Sequence, residues 1–315
     1  MPTVDHLRIV KDLWNLRSDL RFIRKVENWI YSSDLDGVFV RLTDPKHRIL
    51  GQIAAELDWM DHLKATGVSL ANPTRSQRGN YSESIEFNGE VFFAVVFETA
   101  PGRELSNPKD FTPGRLEEWG RVIGRLHSAT KTYSRPATVQ PRPQWDGERN
   151  YLAIGNHISS VDGELFERFR DIDGWLKTLS KGVDEYGLVH ADIHHGNFRI
   201  DDHSRLTLFD FDDCHYHWYS YDLAVPIFLL TLSLARKPAE IGLQPLLDAF
   251  WTGYASTNSL SKLCQDSVTR FIEYRGFVMY CWCVANLHNT DLDERSKNWM
   301  ISTMSYCKQD VFLLR

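Results

Sequence analysis

The chain reads as an α+β protein in which a sheet-rich first part precedes a mostly helical second part. Three observations carry that reading: strand-like alternation with two hairpin turns over much of the first hundred residues, one long amphipathic helix set among those strands, and helical periodicity from about Pro113 onward. With 315 residues, 43% of them hydrophobic, there is material for two domains of about 100 to 200 residues each.

Residues 5–16 open the chain with Leu7, Val10, Leu13 and Trp14 at helical spacing. "DLDGVFVRLT" then sets the turn pair Asp36-Gly37 ahead of Val38, Val40 and Leu42 on one strand face. "IEFNGEVFFAVVF" holds Asn88-Gly89 between two apolar runs, a strong hairpin signal. Between these hairpins a helix is expected from after Pro45 to near Gly67, with Ile49, Ile53, Leu57, Met60 and Leu63 as its apolar stripe. Glu56 falls on that stripe. An unpaired buried charge costs several kcal/mol, comparable with the whole stability margin, so Glu56 requires a cation, and Arg41 on the adjacent strand is available.

After "FETAPGREL" (97–105) the pair Pro101-Gly102 breaks the strand, and the domain boundary is expected there, dividing residues 1–98 from 99–315. Short strands at Gly187 to Val189, around Phe198 to Ile200 and at 205–211 bracket the stretch "LVHADIHHGNFRID" in the helical part. Residues 132–150, with three prolines and a glycine, read as an ordered but irregular excursion. Tyr274, Tyr280, Trp282 and Trp299 are read mainly as core aromatics of the C-terminal helices.

The 36 basic and 42 acidic residues leave a net charge of −6, and no stretch of lysine or arginine is dense enough to track a phosphate backbone, so nucleic acid is excluded as a partner. The N-terminus mixes charge into its apolar positions and is no signal peptide, while the longest apolar run, Leu223 to Ala235, is too short to span a bilayer and contains Pro226. A soluble cytoplasmic protein is expected. Cys214, Cys264, Cys281, Cys283 and Cys307 lack zinc or redox spacing and are read as reduced core thiols.

The stretch 188–201 carries His190, Asp192, His194, His195 and Asn197 around Gly196. His190 and His194 are four apart, like the pair in a zinc-peptidase helix, but the glutamate expected after the first is Ala191, and strand-like flanks deny them one helical face. His195, His203, His215 and His217 are read as structural. Downstream, "LTLFDFDDC" presents Asp210, Asp212 and Asp213, and "YSYDLA" adds Asp222, so four carboxylates crowd into thirteen residues. They need a cation, and hard oxygen donors with the amide of Asn197 favour magnesium, the usual ion of phosphoryl-transfer sites.

"HADIHHGN", "FDFDD" and "YDLA", in that order, resemble the catalytic signature of the aminoglycoside phosphotransferase and choline kinase family, whose fold is bilobal and protein-kinase-like. The resemblance covers roughly residues 20–290 and is strongest in the C-terminal part. It implies that Asp192 accepts or orients the substrate hydroxyl proton, that Asn197 and Asp210 hold Mg2+ on the phosphates of ATP, that His190 braces the loop and that Asp222 holds it from below. It also implies that Arg41 and Glu56 form the phosphate-side ion pair and that adenine meets the backbone of Phe97, Glu98, Thr99 and Ala100. The chain departs from the family at Arg41, where lysine is common, at "RKVENWIYS" (24–32), which lacks a glycine-rich loop, and at Asp212, which replaces a glycine.

An acidic rim with Asp212 and Asp213 suits an acceptor that bears an amine beside its hydroxyl, with Asp212 also open to a second metal. The textures nearest to this chain are type II homoserine kinases, stress-response kinases and amicoumacin-type antibiotic kinases. The leading expectation is a small-molecule hydroxyl kinase acting on an aminoglycoside- or amicoumacin-type antibiotic. The alternatives are a stress-response protein Ser/Thr kinase, a non-catalytic nucleotide-binding module and a histidine-ligated metal-dependent hydrolase.

Overall fold

The computed structural model describes residues 1–105, 107–158, 163–237, 241–288 and 292–308. Along the chain run α1 (Val4–Trp14), β1 (Arg21–Lys25), β2 (Trp29–Ser33), β3 (Val38–Thr43), α2 (Leu50–Ala65), β4 (Pro73–Thr74), β5 (Ser82–Phe87) and β6 (Glu90–Glu98). There follow α3 (Pro113–Thr130), α4 (Arg149–Ile158), α5 (Gly163–Leu176), β7 (Tyr186–Val189), β8 (Phe198–Ile200), β9 (Leu206–Leu208), β10 (His215–Trp218), α6 (Tyr219–Arg236), α7 (Leu243–Ala255), α8 (Lys262–Asn286) and α9 (Glu294–Lys308).

These elements form two compact units that are not successive stretches of chain. One comprises Met1–Arg103, Tyr133–Arg142 and Phe198–Asp212, and the other Glu104–Thr132, Pro143–Asn197 and Asp213–Arg315. A cut at 98/99 is therefore too simple, and hydrogen bonding explains why. The β8–β9 hairpin returns to the first unit, where Leu208 exchanges backbone bonds with Ser69 and Ala71, and Ile200 exchanges two 3.0 Å bonds with Arg103. Gly102 permits that approach: at φ 92°, a β-carbon there would stand 2.1 Å from the Ile200 carbonyl oxygen.

In the first unit an antiparallel sheet runs β1-β2-β3-β6, and the far edge of β6 pairs with β5 and, further along, with β4. The β5–β6 turn is Asn88-Gly89 with both φ angles positive (51° and 78°), the two-residue geometry that matches strand twist. Strand alternation splits β3: Val38, Val40 and Leu42 join Val10 and Trp14 of α1 in one core, while Arg41 faces the other way, where it meets Glu56 of α2. The helix α2 starts later than its apolar pattern suggested. Ile49 is its N-cap and stands 49% exposed, so it belongs to the turn rather than to the buried stripe.

In the second unit α8, 25 residues long, packs against α4, α5, α6 and α9. The helices α3 and α7 cross with almost no side chain between them, since a β-carbon on Gly253 would lie 1.8 Å from the Glu117 carbonyl oxygen and one on Gly120 2.0 Å from that of Phe250. The apolar run from Leu223 lies in α6, which is buried around nearly its whole circumference. Among the described residues no helix is long and apolar enough to cross a membrane. All five cysteines are buried thiols outside any disulfide, and Tyr274 and Tyr280 are core, whereas Trp299 is 36% exposed with Arg236 over its ring.

His217 is fully buried, stacked on Tyr221 at 4.2 Å, and its Nδ1 accepts from the Trp218 backbone N–H. Burial, helped by the charge of neighbouring His215, holds its pKa well below the ordinary imidazole value of 6.5. Below that pH the unfolded chain binds a proton that the folded chain refuses, so stability should fall as pH is lowered. Urea unfolding between about pH 6.5 and 5 should show this slope, and His217→Phe should lessen it by up to about 1.4 kcal/mol per pH unit.

Candidate active site

In the second unit the loop after β7 is organised by one carboxylate. Asp222, in the first turn of α6 and fully buried, accepts the backbone N–H groups of His190 (3.1 Å) and Ala191 (2.8 Å) and the Nε2–H of His127 (3.1 Å). Ala191 is held at φ 67°, a left-handed conformation that a non-glycine residue keeps only when surrounding bonds enforce it. Burial would raise the Asp222 carboxyl, but the His127 hydrogen bond and the loop N–H groups hold it below its usual range. The chain continues outward: Tyr254 of α7 donates to His127 Nδ1 at 2.9 Å and accepts from Asn258 at 2.7 Å, which assigns His127 the tautomer protonated on Nε2.

Asp192 follows directly. Its Oδ1 accepts from Arg275 Nη2 at 2.6 Å, and its Oδ2 accepts from Asn197 Nδ2 at 3.0 Å and lies 3.3 Å from His194 Nε2. Asn197 also donates to the Asp192 carbonyl, so its amide nitrogen is engaged and Oδ1 is the atom that could ligate an ion. Burial pushes the Asp192 carboxyl up, but His194, Arg275 and His190 together hold it well below the usual range. His194 Nδ1 accepts from Gly196 N–H while its Nε2 faces Asp192, so both its nitrogens are occupied, and among the described residues the histidines of this loop join no group with metal-ligand spacing. His195 packs on Phe111, and burial lowers its pKa to about 4. His215 and His217 sit among aromatic rings, and His203 lies in the turn between β8 and β9.

In the first unit Arg41 and Glu56 form the expected pair, bidentate at 2.8 and 2.7 Å with both side chains essentially buried. Arg41 also lies 3.8 Å from Asp212, and its guanidinium sits over the Phe97 ring at 5.2 Å. Asp212 is no rim residue. At 4% exposure it accepts from His47 (2.6 Å) and Asn28 (3.2 Å), with Arg48 at 3.7 Å and the Arg142 guanidinium on its carbonyl. Burial would raise its carboxyl, but the His47 bond and the two arginines hold it well below its ordinary value. Glu27, His47 and Asp212 place ligand atoms within 4.8 Å of one another, yet the adjoining Arg41 and Arg48 already neutralise that carboxylate. A second metal or a cationic substrate, as expected at Asp212, would meet a buried carboxylate already flanked by these two guanidinium groups.

Asp210, at φ 65°, presents a half-exposed carboxylate to Arg24 of β1 at 3.1 Å, while Phe211 behind it is buried edge-on against Trp59. At the end of β6 the N–H of Glu98 bonds the Asn72 carbonyl and that of Thr99 bonds the Gly37 carbonyl. Asp213 belongs to the second unit, 3.9 Å from Arg149.

Arg24, Arg48, His47, His127 and Arg275 escaped sequence reasoning. The available signals were faint: Arg275 is the one basic residue in the largely apolar "FIEYRGFVMYCWC" (271–283), and Arg24 lies in the stretch where a phosphate-covering segment was sought. The buried ion pair gives a direct test. Arg41→Met should cost about 3–5 kcal/mol by urea denaturation, because it leaves Glu56 buried and uncompensated, and the Arg41→Met/Glu56→Met double variant should cost less than the sum of the singles.

Comparison with known proteins agrees with this geometry. Residues 20–255 match the model of the phosphotransferase enzyme family. The chain is 29% identical over 269 residues to an amicoumacin kinase of Bacillus subtilis, covering 84% of this chain and 79% of the relative. A homoserine kinase of Methylobacillus flagellatus is 26% identical over 177 residues, 54% of this chain and 50% of its own. Among solved structures, an amicoumacin kinase in complex with AMP-PNP, Ca2+ and Ami superposes with a TM-score of 0.84 at 26% identity, covering 96% of this chain and 91% of that one. A microcompartment-associated aminopropanol kinase shares the fold, with a TM-score of 0.75 at 21% identity and coverage of 96% and 94%. With three quarters of its length inside the family model, the chain belongs to the phosphotransferase enzyme family and is an ATP-dependent small-molecule kinase.

Proposed function

We propose that the protein transfers the γ-phosphoryl group of magnesium-ATP to a hydroxyl of a small amine-bearing acceptor, an antibiotic of the amicoumacin type being the leading candidate. The observation that carries the reading is the loop carboxylate of Asp192, fixed by Arg275 and Asn197 with His194 beside it, and still 25% exposed. A carboxylate so held is ready to accept a hydrogen bond from an incoming hydroxyl. Phosphoryl transfer asks chiefly for positioning and charge stabilisation, so an orienting acceptor suffices.

Asn197 and Asp210 are the residues to hold the divalent ion. Their donors, an amide oxygen beside an engaged nitrogen and a carboxylate now facing Arg24, are hard oxygens of the kind magnesium prefers. When bound, that ion neutralises charge on the nucleotide phosphates. Asp222 and His190 maintain the loop, Arg41 and Glu56 support the phosphate side, and adenine meets the backbone of Phe97, Glu98, Thr99 and Ala100. The amicoumacin kinase relative supports an antibiotic acceptor. A cytoplasmic location agrees with the nucleotide substrate.

The test is mass spectrometry of magnesium-ATP reactions with a panel of amicoumacin-type antibiotics, aminoglycosides and amino alcohols. A phosphorylated product from wild type should fall by a factor of about 10² to 10⁴ in rate with Asp192→Asn. An unchanged rate in the variant would remove Asp192 from the role of base. Asn197→Ala and Asp210→Ala should each raise the magnesium concentration needed for half-maximal rate.

A further inference from the structure

In the first unit, Arg24 reaches Asp210 through an irregularity in the edge strand. Between Phe22 and Arg24 the β1–β2 register slips: Phe22 pairs with Tyr31 and Arg24 with Ile30, so Ile23 is one residue too many. Regular alternation would put Arg24 on the face of Phe22, whose ring meets that of Tyr31 at 5.6 Å beside the core shared with α1. The bulge turns it over. Ile30 pairs in turn with Arg41, so Arg24, Ile30 and Arg41 project from the same side of the sheet. Burial pulls the Arg41 guanidinium down, but the charges of Glu56, Asp212 and Asp210 hold it above its ordinary value, so Asp210 stands on that side as well.

The two arginines of this face are held very differently. Arg41 is 3% exposed and gripped by Glu56 through two nitrogens. Arg24 is 52% exposed and meets Asp210 through Nη2, at 3.1 Å, on a carboxylate that is itself 30% exposed. An ion pair so open to water holds its members loosely. A divalent ion on Asp210 would bring a second cation close to that guanidinium, and two cations so near repel. Nucleotide phosphates offer the arginine another partner. Oxygens that share one magnesium ion lie within about 4 Å of one another, so phosphates bound to an ion on Asp210 come within reach of the Arg24 side chain. Its planar fork also suits two phosphate oxygens at once.

We propose that Arg24 and the divalent ion are alternative partners of Asp210, and that Arg24, released when the ion takes the carboxylate, binds the terminal phosphates of the nucleotide. This exchange rests on the reading of Asp210 as an ion ligand. It adds the side chain by which the β1–β2 segment, which carries no glycine-rich loop, grips the triphosphate. It also couples the two ligands: the phosphates give the arginine a new partner for the carboxylate it leaves, so ion and nucleotide bind better together than apart.

Binding measurements on the full-length protein separate the two halves of the exchange without turnover. Arg24→Gln should bind Mn2+ alone about two- to fivefold more tightly than wild type, by water-proton relaxation, because a competitor for Asp210 has gone. By calorimetry the same variant should bind AMP-PNP with Mg2+ at least about tenfold more weakly, while AMP, which lacks the terminal phosphates, stays within about twofold. Arg21→Gln, on the same strand and paired with Asp34, should alter none of these. Mn2+ binding that is not tightened in Arg24→Gln, an unchanged AMP-PNP affinity, or an equal loss for AMP overturns the exchange. Asp210→Asn separates the two readings. Mn2+ binding beside AMP-PNP that Asp210→Asn leaves intact overturns Asp210 as the ligand and the exchange with it. A loss there, with Arg24→Gln matching wild type, keeps Asp210 as the ligand and overturns the exchange alone.

Discussion

The loop that follows β7 depends on the buried carboxylate of Asp222. It receives two consecutive backbone N–H groups and one imidazole, and no water is needed to satisfy it. Each bond to an ionised acceptor contributes on the order of 1.5–3 kcal/mol, and the left-handed backbone at Ala191 costs about 1–3 kcal/mol, so the strain is held by the bonds that create it. Through His127 and Tyr254 the same carboxylate ties the loop and α6 to α3 and α7. The close α3–α7 crossing at Gly120 and Gly253 is what lets the tyrosine hydroxyl reach the imidazole. Loop geometry is thus a property of helix packing, not of the loop's own sequence.

The first unit solves a different problem, the burial of several charges at once. Arg41, Glu56, His47, Arg48 and Asp212 form a network in which each carboxylate faces at least one cation and the strand alternation of β3 aims Arg41 away from the apolar core. A buried network of this kind is costly to break and specifies one arrangement, because any partner removed leaves an uncompensated charge. Replacement of the usual lysine by Arg41 fits here. The planar fork binds Glu56 through two nitrogens and still stacks on Phe97, which an ammonium would do less well.

Legibility in the sequence followed how local each signal was. The Asn88-Gly89 turn, the inward Glu56 with its partner Arg41, and the ordered trio around Asp192, Asp210 and Asp222 could all be read because backbone conformation or residue spacing encodes them within a few positions. The limits were equally physical. Ile49 matched a helical stripe but lies one residue outside the first turn, where periodicity cannot distinguish a cap from a core position. Asp212 looked like surface acid because Asn28, His47 and Arg48 approach it from about 165 to 184 residues away, and no local pattern records such a neighbour. Arg275 was hidden for the same reason, 83 residues from the aspartate it holds.

That arginine bears on how Asp192 works in its proposed role. A strong general base would need a pKa near the working pH, and the surroundings of Asp192 drive it the other way. The contradiction dissolves if the proton of the acceptor hydroxyl leaves late. In a loose phosphoryl-transfer transition state the attacking oxygen has formed little bond and gained little acidity, so what helps is a fixed, ionised hydrogen-bond acceptor that aligns the oxygen with the phosphorus. Bonding to Arg275, Asn197 and His194 supplies both properties at once: it locks the carboxylate's orientation and keeps it ionised. The same contacts that make Asp192 a weak base therefore make it a good guide, and the chemistry of the transferred group is what allows the exchange.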